Sequence, residues 1–456
     1  MKRGRALSGS GGAFRARRGL LLVLLLALVV RLGWLVVLYQ HERLPGGERL
    51  FRAAIPSTWE QFVEDLRQDR LFSDQPGFEA IARNLLAGKG YRIAADGPPT
   101  AFRPPVYPLF LASLYAFGGN QHLTVRLVQV LVELGTILLL VAISRRVFGS
   151  QRAALLAGAV YAVYFPIALY AATLFSETLY TFLLALFMWA LVRARGVEET
   201  PARGWRRGRV AAFAGAGMLL GVVTLTKPTT LLLPVFLALP LVWRRDRVGF
   251  LRREVVRELL PLAAGMCLVL APWMVRNYVV LGEIVPVTTG GGRAFWGTNY
   301  IPDADPLRVE LRHGVVGDTP ETDRRLYRQA VRNVLRHPLA FARLSGLRFV
   351  RLWFNLGFVN APSRASLAIG AFNLLLVALS VAAVWRAPGP WLARASPLAL
   401  LLLYFSLVHM VLEGYIRYAL PVLPYLMMTA AYGAVALARR RDLAGGRPVA
   451  VRAGGC

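Results

Sequence analysis

Apolar runs long enough to cross a bilayer recur from one end of this chain to the other. Examples are GLLLVLLLALVVRLGWLVVLY at 19–39, LTVRLVQVLVELGTILLLVAI at 123–143 and SLAIGAFNLLLVALSVAAVW at 366–385. A hydrocarbon core needs about 20 apolar residues per crossing helix, and the backbone inside lipid must satisfy its own hydrogen bonds. Over 456 residues, 56% are hydrophobic and the mean hydropathy is +0.48. The fold class that follows is an all-α polytopic membrane protein. Ten segments read as spans, and up to three more count as crossings if shorter runs are included.

The net charge of +29 invites a nucleic-acid reading, which the placement of the charges excludes. Basic residues concentrate in short loops between the apolar runs, at 193–209 and 244–257 and in the tail from Arg439. That is the pattern that sets topology, with basic loops in the cytoplasm. The region 1–40 reads as a basic cytoplasmic N-terminus followed by an uncleaved first span. Residues 41–103 hold nine basic and nine acidic residues, and this neutrality assigns 41–104 to the outer side. The remaining divisions are 105–276 as the main helical module, 277–362 as a second outer region, 363–438 as C-terminal spans and 439–456 as a cytoplasmic tail. Localisation in the cytoplasmic membrane follows. Pro105–Phe117 is short for a crossing and reads as re-entrant or interfacial, and 340–354 alternates arginine with apolar residues in the manner of an interfacial helix. The two cysteines, Cys267 and Cys456, make no disulfide framework.

The polar stretch 73–108, SDQPGFEAIARNLLAGKGYRIAADGPPTAFRPPVYP, stands out against this background. Asp74 immediately precedes a helix start, and Phe78, Ile81, Ala82, Leu85 and Leu86 follow at helical spacing. Gly88 and Gly90 flank Lys89 and end the helix, and Arg103-Pro104-Pro105 enforces an extended entry into the next segment. A carboxylate and two cations therefore gather near one surface. On this reading alone Asp74 is an N-cap for the helix that follows. Farther along, Glu177 opens an inward helix after a proline-containing segment, a position the helix dipole favours for a carboxylate.

These stretches occur in order with RLVQVLVELGTILLLVAISRRVFG, LFSETLYTFLLAL, APWMVRNYVVLGEIVPVTTGGGRAFWGTN and RYALPVLP. Together they resemble the bacterial GT-C glycosyltransferases related to protein O-mannosyltransferases and lipid A aminoarabinose transferases, the glycosyltransferase family 39-like group. The resemblance covers most of the chain. It implies a polyprenyl-phosphate-linked sugar donor, a lipid, glycan or protein acceptor carrying a hydroxyl, inversion at the anomeric carbon and an active site on the outer face. On that basis Asp74 matches the catalytic base. Arg103 holds the basic position before the two prolines, and Glu177 matches a second acidic position that orients the acceptor or ligates a divalent cation. Lys89, Arg276, Arg293 and Arg417 are further candidates for the donor phosphate. Phe78 departs from the family, where tyrosine is common, and the first loop is longer before Asp74. The pattern requires no other cofactor.

Two other classes compete. A secondary transporter or flippase places ionisable groups near the membrane midplane and shows paired repeats. Here Glu133 is the main acidic exception inside a span, and no internal repeat is evident. A noncatalytic assembly subunit has the same helices with a dispensable Asp74.

Overall fold

The computed structural model describes residues 4–43, 75–118, 121–196, 205–243, 255–299, 319–354, 364–385 and 389–444. Among these residues every regular element is helical. The first, α1 (Gly4–Arg43), contains the span Phe14–Val36. Next come two short helices, α2 (Gln75–Leu86) and α3 (Val106–Tyr115), and then α4 (Gln121–Phe148). The expectation that 105–117 is short for a crossing fits the ten residues of α3. After α4 the chain continues through α5 (Gln151–Val163), α6 (Phe165–Ala171), α7 (Glu177–Arg195), α8 (Trp205–Thr226), α9 (Leu233–Trp243) and α10 (Leu260–Leu281).

The polar second region supplies α11 (Gly291–Thr298), α12 (Pro320–Arg336) and α13 (Pro338–Phe354). It is followed by α14 (Arg364–Trp385), α15 (Gly389–Val411), the single turn α16 (Ile416–Ala419) and α17 (Leu423–Ala444). Among the described residues seven helices are long and apolar enough to cross a membrane, α5 with α6 makes an eighth bent at 62°, and three shorter apolar helices accompany them.

The outward faces stay greasy, with Leu22, Val29, Leu131, Val279 and Leu374 exposed, as a lipid-facing bundle requires. Inside, close packing replaces hydrophobic exclusion as the cohesive term. The crossing of α8 and α10 depends on glycine. A Cβ on Gly217 would sit 2.0 Å from the Leu262 carbonyl oxygen, and one on Gly265 would sit 2.0 Å from that of Ala214. Neither backbone could approach so closely with any larger residue.

The kink between α5 and α6 has a chemical cause and a chemical remedy. Pro166 has no N–H, so the carbonyl of Ala162, four residues earlier, loses its helical partner. Arg31, fully buried on α1, donates to that carbonyl through Nη1. Its Nη2 reaches Glu133 Oε2 at 3.0 Å and the Tyr161 carbonyl at 3.4 Å. Arg31 and Glu133, both charged and both within membrane-spanning helices, are therefore partners, joining α1, α4 and the broken helix.

At one end of the bundle Glu258 accepts from Arg209 Nη2 at 2.5 Å and pairs with Arg195 Nε at 3.4 Å. This ties the end of α7 to the starts of α8 and α10. The opposite end collects 87–105, 164–176, 226–232, 282–299, α12 with α13, and the turn at 412–422.

Candidate active site

The helix α2 begins at Gln75, directly after Asp74, and Asp74 itself lies outside the described residues. Its end is as the glycines foretell, since Gly88 and Gly90 adopt φ of 69° and 81°, a left-handed conformation costly to other residues. Lys89 between them is exposed. Beyond this turn the chain doubles back, held by Asn84 Nδ2 donating to the carbonyls of Arg92 and Ile93 at 2.9 and 3.0 Å. Tyr91 donates through its hydroxyl to the carbonyls of Arg103 and Pro104 at 2.8 and 3.1 Å, and its burial pushes the phenol pKa up.

Arg103 is thereby brought to the first turn of α2. Its guanidinium lies 5.1 Å from the centre of the Phe78 ring and 4.8 Å from that of Phe102. A Cβ on Gly77 would meet Arg103 Nε at 3.4 Å. Arg293, on α11, approaches the same Phe102 ring at 5.3 Å. Two cations therefore meet at one aromatic ring, beside the helix start that Asp74 precedes. Arg276, in the last turns of α10, acts on the same segment differently. It donates to the Thr100 carbonyl at 2.7 Å and the Tyr91 carbonyl at 3.3 Å, and packs against the rings of Tyr91 and Trp273. It braces the strap that carries Arg103.

The second polar region folds back onto this strap. Thr289 N–H donates to the Ala101 carbonyl at 3.0 Å, and the Thr288 hydroxyl to that of Phe102 at 2.5 Å. Trp273 and Asn277 of α10 hold the returning chain through the carbonyls of Val287 and Val285. Asp323 of α12 caps the start of α11, accepting from the Gly292 N–H at 2.6 Å. A Cβ on Gly292 would stand 2.1 Å from the Asp323 carbonyl oxygen, so this junction requires glycine. Burial raises the Asp323 carboxyl pKa to about 6, against the lowering effect of the Gly292 and Arg293 amides.

A second cluster forms around Glu177, the first residue of α7 and 1% exposed. Glu177 Oε1 accepts from Lys227 Nζ at 2.7 Å and from Arg417 Nε. Among the described residues Oε2, also buried, has no hydrogen-bond partner. Lys227 stands at the turn between α8 and the short 3₁₀ segment Pro228–Thr230, 5.2 Å from the Tyr418 ring and 5.8 Å from the Tyr180 ring. Arg417 lies over Phe175 at 4.8 Å. Tyr418 stacks on His409 at 4.8 Å and donates its hydroxyl to Glu413.

A continuous packed layer joins the two clusters. Phe78, under Arg103, contacts Tyr107 edge-on at 5.1 Å and shares a core with Leu174 and Leu179, on either side of Glu177. The Tyr107 hydroxyl meets Gln129 Oε1 at 3.1 Å, and Gln129 Nε2 holds the carbonyls of Ala171 and Thr173 at 3.0 and 2.6 Å. That pins the turn leading into Glu177.

Of the cations singled out in the sequence, Arg103 and Arg293 converge, Arg417 joins Glu177, Arg276 is a brace, and Lys89 stands apart in the exposed turn. Lys227 was not among the sequence candidates. Its signal was available, since Thr226-Lys227-Pro228 puts a lone cation between two apolar runs, where an ionisable group calls for a partner. Among the described residues no three His, Cys, Asp or Glu side chains come together. A divalent cation at Glu177 would face two positive side chains, so the residues there do not fit one.

Residues 102–275 match the family model described as dolichyl-phosphate-mannose-protein mannosyltransferase. Two solved structures of an archaeal oligosaccharyltransferase from Archaeoglobus fulgidus are similar. AglB in complex with an inhibitory peptide and a dolichol-phosphate is 14% identical with a TM-score of 0.51, over 82% of this chain and 47% of that one. The apo form is 12% identical with a TM-score of 0.52, over 81% and 47%. This chain has the GT-C glycosyltransferase fold. It spans about half the length of the two structures. No curated protein matches it by sequence. The family match takes in Arg103, Glu177 and Lys227, while Arg276, Arg293 and Arg417 lie in the part of the GT-C chain beyond it.

Proposed function

We propose that this GT-C chain transfers a sugar from a polyprenyl-phosphate-linked donor to an acceptor hydroxyl, with inversion, on the outer side of the cytoplasmic membrane. The observation that carries the reading is the convergence of Arg103 and Arg293 at Phe102, beside the helix start that follows Asp74. An oxygen–carbon bond forms from the acceptor hydroxyl to the anomeric carbon as the bond from that carbon to the phosphate oxygen breaks. The proton of the hydroxyl goes to Asp74, and negative charge develops on the departing lipid phosphate. Fixed cations aimed at such a developing charge lower the barrier without reorganising during the step. Arg103 and Arg293 supply that field, Lys227 and Arg417 extend it, and Arg276 holds the strap in place. Lys89, exposed in the glycine turn, stands outside this field. The dolichol-phosphate named with AglB supports a lipid phosphate as the donor's carrier.

Glu177 has a different place in this scheme. One of its oxygens is occupied by two cations and the other is open, so it orients an acceptor hydroxyl toward Asp74. The transport reading loses its best residue, because Glu133 is closed off by Arg31. A noncatalytic subunit is separated by turnover. The test is to present purified protein in proteoliposomes with a panel of polyprenyl-phosphate sugars and measure release of the lipid phosphate. Release with one member, and donor affinity that falls for Arg103→Ala more than for Arg103→Lys, is the expected result. No release with any member would overturn the enzymatic reading, and equal donor affinity in all three proteins would remove Arg103 from the phosphate site.

A further inference from the structure

Helix α12 carries five arginines, Arg324, Arg325, Arg328, Arg332 and Arg336, against the acids Glu321 and Asp323. At ~100° per residue the arginines fall on one broad face together with Tyr327, Val331 and Leu335. The opposite face buries Leu326 and Ala330 against Trp296 of α11. The outer face is thus mixed rather than simply polar, with Val331 46% exposed, Leu335 74% exposed, and Leu339 just past the following turn 86% exposed. Scattered exposed apolar residues need no explanation, but two along an arginine-rich face with a third just beyond its end do.

The start of this face is held near the end of α10. That helix is a membrane span and ends at Leu281, capped by Gly282 with φ of 75°. Its last turns and the residues after it point Tyr278, Val279, Val280 and Ile284 outward. Both terminal nitrogens of Arg324 bind the carboxylate of Glu283, two residues beyond the span. The N-terminal part of α12 is therefore tied to the level at which the chain leaves the bilayer. It also lies at the end of the bundle opposite the basic loops, where arginine is not favoured by topology alone.

We propose that α12 lies on the membrane surface on the side of the candidate site and binds anionic phospholipid headgroups. Arg328, Arg332 and Arg336 meet the phosphates, while Val331, Leu335 and Leu339 enter the headgroup–acyl boundary. Arginine stems can lie along apolar surface while their guanidinium heads reach the phosphates, so a face that mixes the two suits this place. A soluble polyanion would satisfy the arginines and leave Leu335 and Leu339 in water, which favours the lipid. The inference is independent of the transferase chemistry.

The test uses the full chain with Cys267→Ser and Cys456→Ser, the only cysteines, and an environment-sensitive fluorophore at Leu335→Cys. The protein is placed in nanodiscs of phosphatidylcholine alone, or of phosphatidylcholine mixed with phosphatidylglycerol. With phosphatidylglycerol, nitroxide-labelled lipid should quench the probe and aqueous iodide should not. Each arginine near an anionic surface contributes about fivefold to the docked-to-undocked ratio, so Arg328→Gln/Arg332→Gln/Arg336→Gln should lower it on the order of a hundredfold and restore iodide access. Equal iodide access in the two lipid mixtures would overturn the proposal. So would protection that comes from added soluble polyphosphate but not from phosphatidylglycerol.

Discussion

Glu133 and Glu177 are both buried carboxylates on membrane-spanning helices, both paired with arginine, and they could hardly be arranged more differently. Glu133 faces one guanidinium, and the donors of that guanidinium also reach two main-chain carbonyls beside a proline break. The charge is matched one to one, and of the guanidinium nitrogens only Nε lacks a hydrogen-bond partner among the described residues. Glu177 faces two cations that lie over Phe175, Tyr180 and Tyr418, and leaves one oxygen unpartnered among the described residues. It holds surplus positive charge and an open acceptor at the end of the bundle where the polar segments gather. A closed pair secures architecture, and an open cluster is arranged for something that arrives from outside.

The largest effect should come from breaking the closed pair. Arg31→Met leaves a buried carboxylate uncompensated and a carbonyl orphaned, and should cost about 3–5 kcal/mol of stability, read as thermal unfolding in detergent. Arg31→Met with Glu133→Gln should recover part of that. Adding Pro166→Ala, which returns an N–H to the Ala162 carbonyl, should recover more. A silent Arg31→Met would dissolve the contrast.

Lys227→Met tests the other side. It leaves Arg417 to compensate Glu177, so stability should change by less than ~1 kcal/mol, while turnover should fall roughly a hundredfold, the scale for one preorganised electrostatic group. A stability loss like that of Arg31→Met with turnover unchanged would make the open cluster a second structural pair.

The smallest effect belongs to Asp323, outside both clusters. Its folded-state pKa is raised to about 6 from an ordinary value of 3.8. The folded chain therefore holds this proton more tightly than the unfolded chain, and the associated stability is present below about pH 4 and lost as pH rises through about 6. Partial solvent exposure reduces the amount to about 1 kcal/mol. The stability difference between wild type and Asp323→Asn should shrink by that much across the window. A difference that stays flat would refute the raised pKa.

The local features were legible in the sequence because their causes are local. Gly88 and Gly90 announce the end of α2, Pro166 announces the kink, and the apolar runs announce the spans. The stretch 340–354 was read as an interfacial helix, and the helix found there starts two residues earlier, at Pro338. What composition and periodicity could not provide was pairing across the chain. Arg31 and Glu133 are separated by 102 positions, and Arg417 and Glu177 by 240. Arg276 read as a phosphate ligand because nothing in its neighbourhood reveals that Thr100 and Tyr91 present carbonyls to it. Lys89 read as a site residue for its closeness to Asp74 in sequence, yet the two glycines that end the helix also turn it into solvent.

The central claim is that Asp74 takes the acceptor proton within the field of these cations. Asparagine keeps the size and helix-capping ability of aspartate but cannot accept the proton. In proteoliposomes supplied with the active donor, Asp74→Asn should insert and melt like wild type and release lipid phosphate roughly a hundredfold or more slowly. Release within a few-fold of wild type would contradict the account and pass the role of base to Glu177.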